Sequence, residues 1–155
     1  MANEPIKSLF ANDINRRIEE VIKVEQTDEQ AVYTEISEYV ATDRLQEEYA
    51  RLFRAIAEAP SESGEGIGVW ISGFFGSGKS SFAKNIGFAL ANAPVLGQPA
   101  GDLLARQINN PTVAALIESI NSRIPTEVIM FDVSSNSKIR SGETIAEIMY
   151  KMLLI

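Results

Sequence analysis

Gly73-Phe74-Phe75-Gly76-Ser77-Gly78-Lys79-Ser80 is the stretch on which the reading of this chain turns. It matches the pattern G-x-x-x-x-G-K-[ST]. Average residue frequencies produce such a match in roughly one of 200 chains of this length. Each position has a physical reason. The glycines adopt backbone angles that other residues avoid, and they let N–H groups point inward at phosphate oxygens. Lys79 offers a flexible cation to β- and γ-phosphates. A helix opening at Lys79 adds its free N–H groups and the positive end of its dipole. The candidate phosphate-binding residues are therefore Gly73, Phe75, Gly76, Ser77, Gly78, Lys79, Ser80 and Ser81, with Ser80 also a Mg²⁺ ligand through its hydroxyl. The expected ligands are Mg²⁺ and ATP. Phe74 and Phe75 are unusual in such a loop and are expected to pack against neighbouring elements.

The flanks suit the motif. Before it, Ile67-Gly68-Val69-Trp70-Ile71-Ser72 reads as a short buried strand. After it, Phe82, Ile86, Ala89 and Leu90 form the apolar stripe of a helix, in which Gly87 costs about 1 kcal/mol relative to alanine unless it permits a close approach to the sheet. Residues 94–101 read as a loop, and Asp102 as the cap of a short helix ending at Ile108. Asn110-Pro111 is a good N-cap and first-turn pair for a helix carrying Val113, Leu116, Ile117 and Ile120, closed by Pro125. Residues 127–133 read as a second buried strand, 134–142 as a loop, and Thr144 onward as a helix.

Upstream, Thr27 and Gln30 read as a capping box. A helix with Val32, Ile36, Tyr39 and Val40 on one face follows. A second helix carries Leu45, Tyr49, Leu52, Phe53 and Ile56, and ends at Pro60. The expected architecture is α/β: a P-loop NTPase (AAA+-like) parallel sheet flanked by helices and preceded by an N-terminal helical segment. Residues 1–66 form that acidic segment, and residues 67–155 the N-terminal part of the NTPase domain.

Composition narrows the chemistry. The chain has 155 residues and contains neither cysteine nor histidine. Disulfides, thiolate metal sites and histidine-based nucleophile pairs are excluded. Residues 1–66 carry 7 Lys/Arg against 15 Asp/Glu, while residues 67–155 carry 7 against 6. The acidic segment is thus not expected to hold DNA, because non-specific nucleic-acid affinity is mostly cation–phosphate attraction. Residues 1–10 are polar where a signal peptide needs an apolar core. A cytoplasmic protein that does not enter the membrane is expected.

Hydrolysis needs a carboxylate beyond the phosphate loop. Asp132, at the end of Val-Ile-Met-Phe-Asp, is the catalytic candidate. Val133 follows it, where a second acid would serve as base. The favoured reading makes Asp132 an ordinary strand-end residue, with the metal-binding carboxylate elsewhere. The helix running to Ile155 shows no stop signal, and a P-loop sheet needs more than two strands. The expectation is therefore an N-terminal portion of a larger ATPase that lacks the carboxylate, the sensor residues and any arginine finger.

The run Gly68-Val69-Trp70-Ile71-Ser72-Gly73-Phe74-Phe75-Gly76-Ser77-Gly78-Lys79-Ser80-Ser81-Phe82 resembles the P-loop of the large BREX phage-defence ATPases, the BrxC/PglY family. Leu9-Phe10-Ala11-Asn12-Asp13-Ile14-Asn15-Arg16 and the stretch through Asp43-Arg44-Leu45 are similar to the same family. The resemblance covers most of residues 7–90. It implies an AAA+-like ATPase within a multiprotein bacterial complex acting against bacteriophage, with Gly73, Gly76, Gly78, Lys79 and Ser80 as the ATP site. It further implies other defence proteins and a homo-oligomer as partners, and a position near the base for residues 16–22. A nucleotide-gated assembly scaffold, a DNA-loading or remodelling motor and a small-molecule P-loop kinase are the alternatives.

Overall fold

Short polar side chains set where the helices begin. The computed structural model describes residues 5–10, 13–15, 28–61, 66–131, 146, 147, 149, 150 and 154. Asp28 Oδ1 accepts from Ala31 N at 3.1 Å and starts α1 (Glu29–Ser37). The cap therefore lies one residue after the expected Thr27, which is outside the described residues. Thr42 Oγ1 accepts from Leu45 N at 3.4 Å to start α2 (Asp43–Glu58), which continues into a 3₁₀ turn over Ala59–Ser61. α3 spans Lys79–Ala91 and α4 spans Ala100–Ile108. Each ends on an asparagine in the left-handed region, Asn92 at φ 47° and Asn109 at φ 54°. Asparagine tolerates that conformation better than most residues. Asn110 caps α5 (Pro111–Arg123) as expected, its Oδ1 accepting from Thr112 N at 3.0 Å and Val113 N at 3.3 Å.

The parallel sheet expected from sequence is not formed. Among the described residues the sheet is two-stranded and antiparallel, β1 (Pro94–Val95) with β2 (Gln98–Pro99), joined by Leu96 and Gly97. Both turn residues have positive φ, 48° and 78°. That is the type I′ turn that suits a two-residue hairpin. It sits where a loop was expected, and α4 starts at Ala100, ahead of Asp102. Of the two segments expected as core strands, residues 67–72 and 127–133, the described residues 67–72 and 127–131 run without strand pairing, and 132–133 lie outside the described residues. Residues 66–78 are exposed, with Trp70 91% accessible. The fold is helical because the apolar faces of α1–α5 satisfy one another. An apolar run becomes a strand only when a non-local partner supplies its ladder.

α2 packs on α5, α4 on both α5 and α3, and α1 on α4. The core comprises Val32 and Ile36, Tyr49 and Phe53, Phe88 and Ala89, Leu103, Leu104 and Ile108, and Val113, Ile117 and Ile120, with Val95 from the hairpin. The buried face of α3 is rotated from the expected stripe: Phe82, Ile86 and Leu90 are only half-buried, whereas Lys84, Asn85 and Phe88 are buried. A Cβ on Gly87 would lie 2.5 Å from Met130 Sδ, so the close approach exists, but toward an unpaired segment. Tyr39 and Val40 lie beyond α1, and Val40 is exposed. Of the expected C-terminal helix, residues 146, 147, 149 and 150 are helical and exposed; Ile145, Ile148, Met152 and Leu153 are outside the described residues.

Tyr49 ties α2 to α3. Its ring lies 4.4 Å from that of Phe82, 6.0 Å from that of Phe53 and 6.1 Å from that of Tyr39, centroid to centroid. Among the described residues its buried hydroxyl has no hydrogen-bond partner, and neither does Asn85 Nδ2. Burial, then the neighbouring Tyr39, pushes the Tyr49 hydroxyl above its ordinary value; burial does the same for Tyr39. An unfolded tyrosine ionises near pH 10, so the folded state holds protons that the unfolded state loses above that pH. This contribution is fully present below about pH 10 and is lost as pH rises toward the folded values. The expected result is a fall in thermal midpoint above about pH 10 that is shallower in Tyr49→Phe. Equal slopes in the two proteins would refute the assignment.

Candidate functional site

The loop shape follows from its glycines. Ser77 N donates to Phe74 O at 3.2 Å, closing a four-residue turn. Gly76, at its third position, has φ 75°, while Phe75 keeps a negative φ, the pattern of a type II turn. Gly78 follows at φ 83° and ψ 12° and caps α3 with its backbone alone. Its carbonyl accepts from Phe82 N at 2.9 Å. A Cβ on Gly73 would lie 2.8 Å from Ser77 Oγ, so a larger residue there requires the Ser77 hydroxyl to rotate away.

Lys79 turns back over this loop, its Nζ donating to Phe74 O at 2.7 Å. Gly78 offers no side-chain cap, and the N–H groups of Lys79, Ser80 and Ser81 have no acceptor among the described residues. The result is an ammonium group and the free donors of a helix N-terminus around one exposed turn. These donors suit an anionic, oxygen-rich ligand. Ser80 is exposed in this first turn and Ser81 is half-buried.

Loop residues line one side of a cleft of about 830 Å³ whose other walls are α2 and the extended segment before the loop. Gly76, Ser77, Gly78 and Lys79 line it, as do Arg44, Glu48 and Arg51 of α2. Trp70, the only tryptophan in the chain, also borders it. Phe74 and Phe75 do not pack against neighbours as expected: both side chains are exposed. Each lies at the outer bend of a turn whose chain on both sides is itself exposed.

The structure thus brings residues 73–81 together around one turn and helix end. Asp132 lies outside the described residues, as do Ser134, Asn136, Lys138 and Arg140 of the following loop and residues 16–22. Sequence reading missed the α2 wall. Its signal was the seven-residue spacing of Arg44 and Arg51, which places both on one helical face. No family model matches the chain, and no solved structure matches it. Among the described residues, no helix is long and apolar enough to cross a membrane.

Proposed function

We propose that residues 73–81 bind a nucleoside triphosphate as its Mg²⁺ complex. One observation carries this reading: Lys79 Nζ and three helix N–H groups without an acceptor among the described residues surround a turn held open by Gly76 and Gly78. A mere strand-to-helix connection needs neither the lysine nor an uncapped helix start. The reading rests on the loop and α3 alone, since the parallel sheet expected around them is not formed. In this reading Ser80 presents its hydroxyl to Mg²⁺. The resemblance of residues 7–90 to the BREX ATPases favours ATP as the nucleotide. It also favours a cytoplasmic role in a multiprotein anti-phage complex, with hydrolysis dependent on a carboxylate beyond the described residues. In the alternative, nucleotide binding drives assembly and turnover is incidental.

Trp70 provides the test. It is 91% exposed and borders the cleft, so a nucleotide entering there changes the surroundings of the chain's single indole. Titration with ATP is expected to shift its fluorescence in a saturable way. Mg²⁺ is expected to tighten binding in the unaltered chain but not in Ser80→Ala. A flat titration, together with no heat in calorimetry, would sink the proposal.

A further inference from the structure

The cleft has a second charged wall. Arg44 and Arg51 are seven residues apart on α2, so they project from one helical face, with Glu48 between them. Lys79 lines the same cleft, so among the described residues its charged side chains are three cations against one carboxylate. The whole chain carries a net charge of −7, and α2 belongs to its acidic part. A positive cleft on such a chain concentrates anions locally, against the average field of the molecule.

We propose that α2 forms a cationic clamp for the nucleotide, with Arg44 and Arg51 contacting phosphate oxygens of a triphosphate cradled by residues 76–79. This rests on the nucleotide reading above. The clamp is held in place by packing. Phe82, one turn into the helix that Lys79 opens, lies against Tyr49, which sits between the two arginines in sequence. The Arg face of α2 is therefore fixed relative to the loop. Arg51 is only loosely engaged, its Nε 3.7 Å from Glu48 Oε2 with the guanidinium side chain 83% exposed. That contact is an exposed i,i+3 pair of small energetic weight, easily exchanged for a phosphate. Arg44 has no ion pair among the described residues. A guanidinium offers paired N–H donors that match phosphate oxygens, which a lysine does not. The competing account is that both arginines merely solubilise an exposed helix.

Calorimetric titration with Mg·ATP decides between them, at low and at raised salt. The variants are Arg44→Gln/Arg51→Gln, Lys79→Ala and, as a control, Arg54→Gln, an exposed α2 arginine that does not line the cleft. All replace exposed or half-buried side chains, and circular dichroism checks that the helices persist. The double variant is expected to bind about 30-fold more weakly at low salt and to lose much of the salt dependence, while Arg54→Gln stays within about twofold. If the double variant behaves like Arg54→Gln while Lys79→Ala weakens binding, the clamp is overturned and the phosphate loop stands. If the unaltered chain takes no Mg·ATP, both fall together.

Discussion

Lys79→Ala is expected to weaken Mg·ATP binding by about 100-fold, or about 2.7 kcal/mol, with little change in folding stability. The magnitude is that of losing charge-assisted hydrogen bonds to phosphate, which no neighbouring group replaces at the same place. The small stability effect follows from where the side chain lies. Its hydrogen bond is to the carbonyl of Phe74 in an exposed turn, so its removal opens no cavity and strands no buried partner. Surface substitutions of this type usually stay within about 0.5 kcal/mol. Calorimetry gives the affinity and urea unfolding the stability. Unchanged affinity in a folded variant would show that the turn and its lysine are structural.

A larger effect on stability is expected at Glu35. Lys84 is 1% exposed, and its Nζ lies 2.8 Å from both Glu35 oxygens and 5.4 Å from the centre of the Phe88 ring. Glu35→Ala takes one close carboxylate partner from a buried ammonium, at a cost of about 2 kcal/mol. Lys84→Met is expected to cost roughly 1 kcal/mol, because the Glu35 side chain it leaves is 22% exposed and can take up water. The asymmetry is the diagnostic, since simple loss of one ion pair would make the two variants equal. Urea unfolding of both measures it, and a costlier Lys84→Met would overturn the account. The pair also joins α1 to α3, the helix that opens at Lys79. Loosening it is therefore expected to lower stability without moving the loop's own turn.

Much of the local structure was legible. Asn110-Pro111 predicted the start of α5 because a side-chain oxygen and a proline act on the next three residues alone. Val32, Ile36, Val113, Ile117 and Ile120 were read from helical period and are buried. The hairpin was missed because its turn carries Leu96, not asparagine or aspartate, in the first positive-φ position. Residues 67–72 and 127–131 were misread as core strands because a continuous apolar run reports a tendency to bury, not a pairing partner. The stripe on α3 was misplaced because Lys84 looks like a surface residue until Glu35 meets it.

What the sequence alone determined is the local shape of residues 73–81. Gly73, Gly76, Gly78, Lys79 and Ser80 set its turn, its uncapped helix start and its charge within eight residues, where backbone angles and short hydrogen bonds suffice. The tertiary structure alone decided which distant side chains meet. Glu35 and Lys84 are 49 positions apart, and the α2 arginines reach the cleft only because Tyr49 packs on Phe82. Contacts of that kind depend on which faces of distant helices exclude water together, and no local pattern encodes that choice.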